Sequence, residues 1–264
     1  MLAIEAHELP LLLMLLLVMA AAAAVLLFPF WAPLLVKAKM KMRLEGVLRE
    51  SEDEDLSADD RAFFVALEDA LADAGYVAVG SFALEGMVPM VRMHFIMLLN
   101  PESPAMAMGS VTRTIQAQGK PQPAKQAIEF ASELDDGQNL NTNNNLDSVS
   151  PDNNPDKQTW VFPEEKNPLT LLKLHEAITR EFAAGTPFRP VPMQDSPARF
   201  LLDEIRREMD KKTQRGFWSK TADGYTMTLK GAYLNTWGEL PPFKHFRRDV
   251  IRKRSNAMRA KVGL

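Results

Sequence analysis

The sequence predicts an α+β fold in which a single N-terminal transmembrane helix is followed by an antiparallel sheet packed with helices. Three observations carry this expectation. Leu9 to Val36 contains no charged side chain and is followed at once by Lys37, Lys39, Lys41 and Arg43. Residues 59–185 then run as a helical pattern, several short strand patterns and a second helical pattern, the order expected of helices laid on a sheet. Asp-Gly pairs at Asp136-Gly137 and Asp223-Gly224 supply the turn chemistry that antiparallel hairpins need.

Residues 1–8 read as a short tail, and residues 9–36 as the membrane helix. Pro10 suits a first turn, where its missing N–H has no partner to lose. A helix from Pro10 to Phe28 would extend about 28 Å at ~1.5 Å per residue, close to the ~30 Å hydrocarbon core. Pro29 and Pro33 are expected near the exit, with Phe30 and Trp31 among the headgroups. A cleavable signal peptide needs a basic leading region, whereas Glu5, His7 and Glu8 precede this stretch. Basic flanking residues favour the cytoplasmic side. The expected arrangement is therefore single-pass, with the N-terminus outside and the bulk of the chain cytoplasmic. The absence of cysteine and of Asn-x-Ser/Thr sequons agrees with it.

Residues 37–58 read as a charged connector in which Lys37 to Arg49 can continue the helix out of the membrane, and the acidic run Glu50–Asp60 that follows is a solvated, extended spacer. Ser57 or Asp59 should cap a helix that places Ala62, Phe63, Ala66, Leu67, Ala70, Leu71 and Ala74 on one face, with Gly75 as its stop. Strands are expected from Tyr76 to Leu84 (broken at Glu85-Gly86), Val88 to Leu99, Ala105 to Gln116 and Gln126 to Leu134, with a loop at Gly119 to Pro123. Leu140 to Asn143 could pair after the Asp136-Gly137 turn. Asn139 to Asn154 reads as a polar loop too poor in apolar residues to bury itself. A short strand at Thr159 to Phe162 and a helix opened by Pro168 and closed by Gly185 complete the α+β domain. Residues 186–196 form a proline-rich linker. Residues 197–264 hold a helix to about Lys212, a hairpin around Asp223-Gly224, and a basic C-terminal tail.

Charge is more informative in its distribution than in its total of −3. In the tail, Tyr233, Trp237, Phe243 and Phe246 interleave with Lys244, Arg247, Arg248, Arg252, Lys253 and Arg254. Aromatic and basic residues together suit an anionic membrane surface, each cation contributing about 1 kcal/mol there. The expected membrane-surface contacts are Trp31, Lys37, Lys39, Lys41, Arg43, Trp237, Lys244, Arg247, Arg248, Arg252, Lys253 and Arg254. The expected partners are the lipid bilayer, its anionic headgroups and an unidentified protein; nucleic acid, which the same charges could bind, is not expected of a tethered chain without a nucleic-acid-binding motif.

Catalytic signatures fail on inspection, and no catalytic, cofactor or metal residue is assigned. His175-Glu176 begins an H-E-x-x-H motif, but Thr179 stands where the second histidine belongs. The phosphate loop would need a glycine at Thr114 to accompany Gly119-Lys120. Glu133, Asp135, Asp136, Asn139, Asn141, Asn143, Asn145, Asp147 and Asp152 offer oxygens suited to Ca²⁺. Counted from Asn141, however, an EF-hand register puts Leu146 at the glycine position and Asp152 at the glutamate position; these residues are read as turn and loop formers. Arg92 and Arg113 are read as solvated strand residues. The expected function is a membrane-anchored, non-catalytic scaffold, accessory or interaction protein. The alternative is a module that binds a small apolar ligand or lipid at the membrane surface, suggested by methionines in several strands.

Overall fold

The computed structural model describes residues 9–44, 48–51, 55–85, 91–114, 124–148, 151, 154–183, 185–191 and 196–264. The N-terminal tail, the acids Glu52 to Glu54, Gly86, the Gly119 to Pro123 loop, Asp152 and the middle of the proline-rich stretch lie outside the described residues.

Helix α1 (Leu9–Lys39) does not stop at Phe28 as the prolines suggested; it continues through Pro29 and Pro33. It bends instead, by 58° between the arms Leu13–Ala24 and Leu27–Lys39. A proline ring clashes with the carbonyl four residues back, here residue 25, which is where the arms meet. Among the described residues no single helix is long and apolar enough to cross a membrane; the two arms pass that test only together, by length and composition.

The charged connector continues the helix only as far as Lys39. It forms β1 (Lys41–Arg43) and β2 (Leu48–Glu50), which enter two different sheets. Helix α2 (Ala58–Ala72) starts at Ser57 with a reciprocal capping box to Asp60, and Gly75 beyond it takes a positive φ of 79°. Strands β3 (Val77–Glu85), β4 (Val91–Leu99), β5 (Met106–Thr114), β6 (Lys125–Leu134) and β7 (Asn139–Asn143) follow as an antiparallel meander, with β2 on the outer side of β3. The last main strand, β8 (Lys157–Val161), runs parallel to β7, so the sheet is not wholly antiparallel. The start of the supposed polar loop is thus the strand that Leu140 to Asn143 suggested, with Asn141, Thr142 and Asn143 buried and paired on both sides so that its backbone groups are satisfied.

One sheet face packs on α2 and on α3 (Pro168–Ala183). Phe64, Leu67, Leu71, Leu171, Leu174 and Ile178 meet Ile96, Leu98, Val111, Ile128, Phe130 and Trp160. The proline-rich stretch contributes β9 (Phe188–Arg189), which pairs with the end of β6. Beyond it, α4 (Pro197–Gln214) covers the second face, where Leu201 contacts a cluster of Phe82, Phe95 and Met97. Strand β4 is therefore buried on both faces from His94 to Leu99, which explains its continuous rather than alternating apolar pattern.

The hairpin of β10 (Trp218–Thr221) and β11 (Gly224–Met227) pairs with β1, so the N-terminal helix leads directly into a sheet completed by the C-terminal region. Helix α5 (Leu229–Glu239) packs on α1. The basic tail is a helix, α6 (Phe243–Lys261), docked at the sheet edge: the fully buried Ser255 hydroxyl accepts from the Val161 N–H at 2.8 Å, and Arg254 lies over the Trp160 ring.

Candidate functional site

Alternation along β4, β5, β6 and β7 sends Met93, Phe95, Met106, Met108, Glu129, Ala131, Glu133, Asn139 and Asn141 to the face that α4 covers. The other side is α4 itself, whose Leu201, Glu204, Ile205, Glu208 and Met209 recur at helical spacing. The helix meets the apolar cluster at Leu201. Further along, it meets Met42 and Tyr225 of the smaller sheet, which form a separate cluster with Met209. Held at two places, α4 bridges the sheets and leaves a cleft of about 290 Å³ beneath it. That volume is about twice that of a ~150 Å³ apolar cavity able to take benzene.

The cleft has two halves. Leu84, Met93, Phe95, Met106, Met108, Leu201, Ile205 and Met209 make an apolar half in which unbranched methionines adapt to irregular shapes. The polar half begins at β6 and β7. Asn141, 2% exposed, donates through Nδ2 to Glu129 Oε1, while its Oδ1 and that of Asn139 are buried without a hydrogen-bond partner among the described residues. At the rim, Glu133 accepts from Arg189 at 2.7 Å and Arg207 at 3.0 Å, and Arg207 also holds Glu204 at 2.8 Å. Burial pushes the Glu204 carboxyl up, with Arg207 opposing. Such a site can enclose an apolar body and anchor one hydrogen-bonding end. The sequence signal for it was the methionine content of the strands; its polar half draws on two expected strands, Gln126 to Leu134 and Leu140 to Asn143, whose facing side chains the sequence alone did not bring together.

The expected membrane-contact residues fall into two groups that the fold partly joins. Trp31 lies against Phe28 on the second arm of α1. The Tyr233 hydroxyl donates to the Phe30 carbonyl at 3.1 Å, and Phe30, Trp237 and Phe243 form a chain of ring contacts at 6.1 and 5.6 Å. Lys37, Lys39, Lys41 and Arg43 are exposed where α1 passes into β1. Much of the tail's charge is instead spent within the protein. Lys244 and Arg247 hold Glu239, Arg248 holds Asp147, Arg252 approaches Glu164 at 3.9 Å, and Arg254 donates to Gln158; Lys253 is exposed. Burial raises the Asp147 carboxyl, but Lys125 and Arg248 outweigh it and hold the group below its ordinary range.

The oxygen-rich stretch does not converge on a cation site, and no group of three metal-ligating side chains occurs among the described residues. Asp136, Asn143 and Asn145 accept backbone N–H groups two residues on, and Asp147 is ion-paired. His175 is fully buried between Ser132 and Thr142, at 2.9 and 3.0 Å, and burial pushes it down to about 3. Arg92 is exposed, as expected, but Arg113 is not a solvated strand residue: it pairs with the buried Asp60 at 2.5 Å and donates to Ser57. No known protein family, curated protein or solved structure matches the chain.

Proposed function

We propose that this chain is a membrane-anchored accessory module that holds a small apolar ligand in the cleft between its main sheet and α4. The observation that carries the reading is the cleft: a methionine-lined cavity with carboxylate and amide side chains at one end, the usual make-up of a small-molecule site.

Anchoring is the second part of the proposal. The apolar first arm of α1 would enter lipid, and Phe28, Phe30, Trp31, Phe243 and Phe246 would sit at the headgroup level beside Lys37, Lys39 and Lys253. In this arrangement the bulk of the chain is cytoplasmic and the cleft lies close to the bilayer, a source of apolar ligand. The paired cations of α6 contribute less to the surface than their number suggests.

The test uses full-length protein extracted from membranes, purified and analysed by solvent extraction and mass spectrometry. Wild type should carry an apolar compound approaching one per chain. Leu201→Trp or Met108→Trp, which fill the cleft, should lose it. An identical yield from wild type and both variants would mark it as adhering lipid and defeat the proposal.

A further inference from the structure

The cleft's polar half is unlike its rim. Each rim carboxylate has a cation: Glu133 has Arg189 and Arg207, Glu204 has Arg207, Glu208 has Lys212, and Asp156 has Lys211. Glu129 has none within 4.0 Å among the described residues; its polar partner is Asn141. Lys157, the remaining cation on the lining, is exposed and level with Asn139 and Glu133 in the strand register, whereas Glu129 is level with Asn143 and Val161.

Asn141 fixes the polarity of this end. Its amide orientation follows from its neighbour, because only the NH₂ side can face a carboxylate. The Asn141 Oδ1, like that of Asn139 two residues back on the same face, is closed off from solvent and does not reach into the cleft. The polar group that this end of the cleft is left with is the Glu129 carboxylate, which accepts one N–H from Asn141 and has no cation beside it among the described residues. A ligand with a carboxylate or phosphate head would face Glu129 with like charge in a low-dielectric site. A hydroxyl could donate only one hydrogen bond. A primary ammonium offers three N–H donors, no acceptor and the missing positive charge.

We infer that the cleft selects an amphiphile with a primary ammonium head, seated on the Glu129 carboxylate with its chain among the methionines. This inference rests on the proposed ligand-binding role and adds the chemical class of the ligand.

The test titrates the full chain in nanodiscs of zwitterionic phospholipid with octylamine, octanol and octanoate, subtracting the heats of empty nanodiscs. Octylamine should bind at least about tenfold more tightly than octanoate. Glu129→Gln, which preserves shape, should remove that preference while octanol binding persists. Leu201→Trp should weaken octylamine and octanol alike. Equal binding of octylamine and octanol, a preference for octanoate, or a preference for octylamine unchanged in Glu129→Gln would overturn the ammonium inference and leave the apolar cleft standing. Absence of binding by all three would overturn both.

Discussion

Arg113 ties the start of α2 to the sheet. It reaches from β5 to the capping residues Ser57 and Asp60, and Asp60 is 2% exposed while Arg113 is one-third open to solvent. Removing the guanidinium leaves a buried carboxylate uncompensated, so Arg113→Met should cost about 2–4 kcal/mol, read by denaturant titration; a loss within experimental error would refute the assignment. His175 makes a second prediction. Its folded pKa, about 3, lies below the ordinary 6.5, so the unfolded chain binds more protons between those values. Stability is then complete above pH 6.5 and declines as pH falls towards 3. Between pH 7.5 and pH 5 the loss should be about 2 kcal/mol from this residue, and His175→Gln should remove that part of the slope. His94, also lowered chiefly by burial, adds in the same direction and remains in the variant. Neither role was readable in the sequence: alternation gives the face of a strand, but not that α2 starts beside Arg113, or that the sheet buries His175 of α3 against Ser132 and Thr142.

Strand β1 has only three residues and depends on β11. Its pairing brings the Met42 carbonyl against Gly224, so close that a Cβ at that position would clash with it, and Gly224 adopts φ 150°. Gly224→Ala should destabilise the small sheet by about 2–3 kcal/mol and expose the β1 amides to hydrogen exchange; unchanged protection of Lys41 to Arg43 would contradict the pairing. The sequence showed Gly224 as half of a turn signal but not as the place where another strand crosses. Elements with a strong period, such as α2, α3 and α4, were legible because their apolar spacing and caps are local. The strands β1 and β2 were not, because charged segments become strands only when distant partners satisfy their backbones. Pro29 was legible as a disruption, but read as an end rather than a bend.

At the scale of the molecule, both ends of the chain meet at one place: α1 packs on α5, β1 pairs with β11, and α6 closes the edge of the main sheet. Helix α1 and the cleft under α4 are therefore linked through the small sheet and α4. Because the native chain has no cysteine, single substitutions report topology cleanly. With the protein in intact cells, Lys253→Cys should resist an impermeant thiol reagent until the membrane is opened; labelling from outside would reverse the proposed orientation. The uncharged run and its basic flank were plain in the sequence, since they need no partner to be read. The cleft was not, because six strands and a helix far along the chain contribute to it, and only strand register brings them together.

The most direct test of the central claim is photolabelling of the full chain with a short diazirine-bearing alkyl probe, followed by peptide mapping. The account predicts labels concentrated on β5 and α4, at Met106, Met108, Leu201 and Ile205, and abolished by Leu201→Trp. Labels confined to α1 and the aromatic faces of α5 and α6, with none in the cleft, would contradict it.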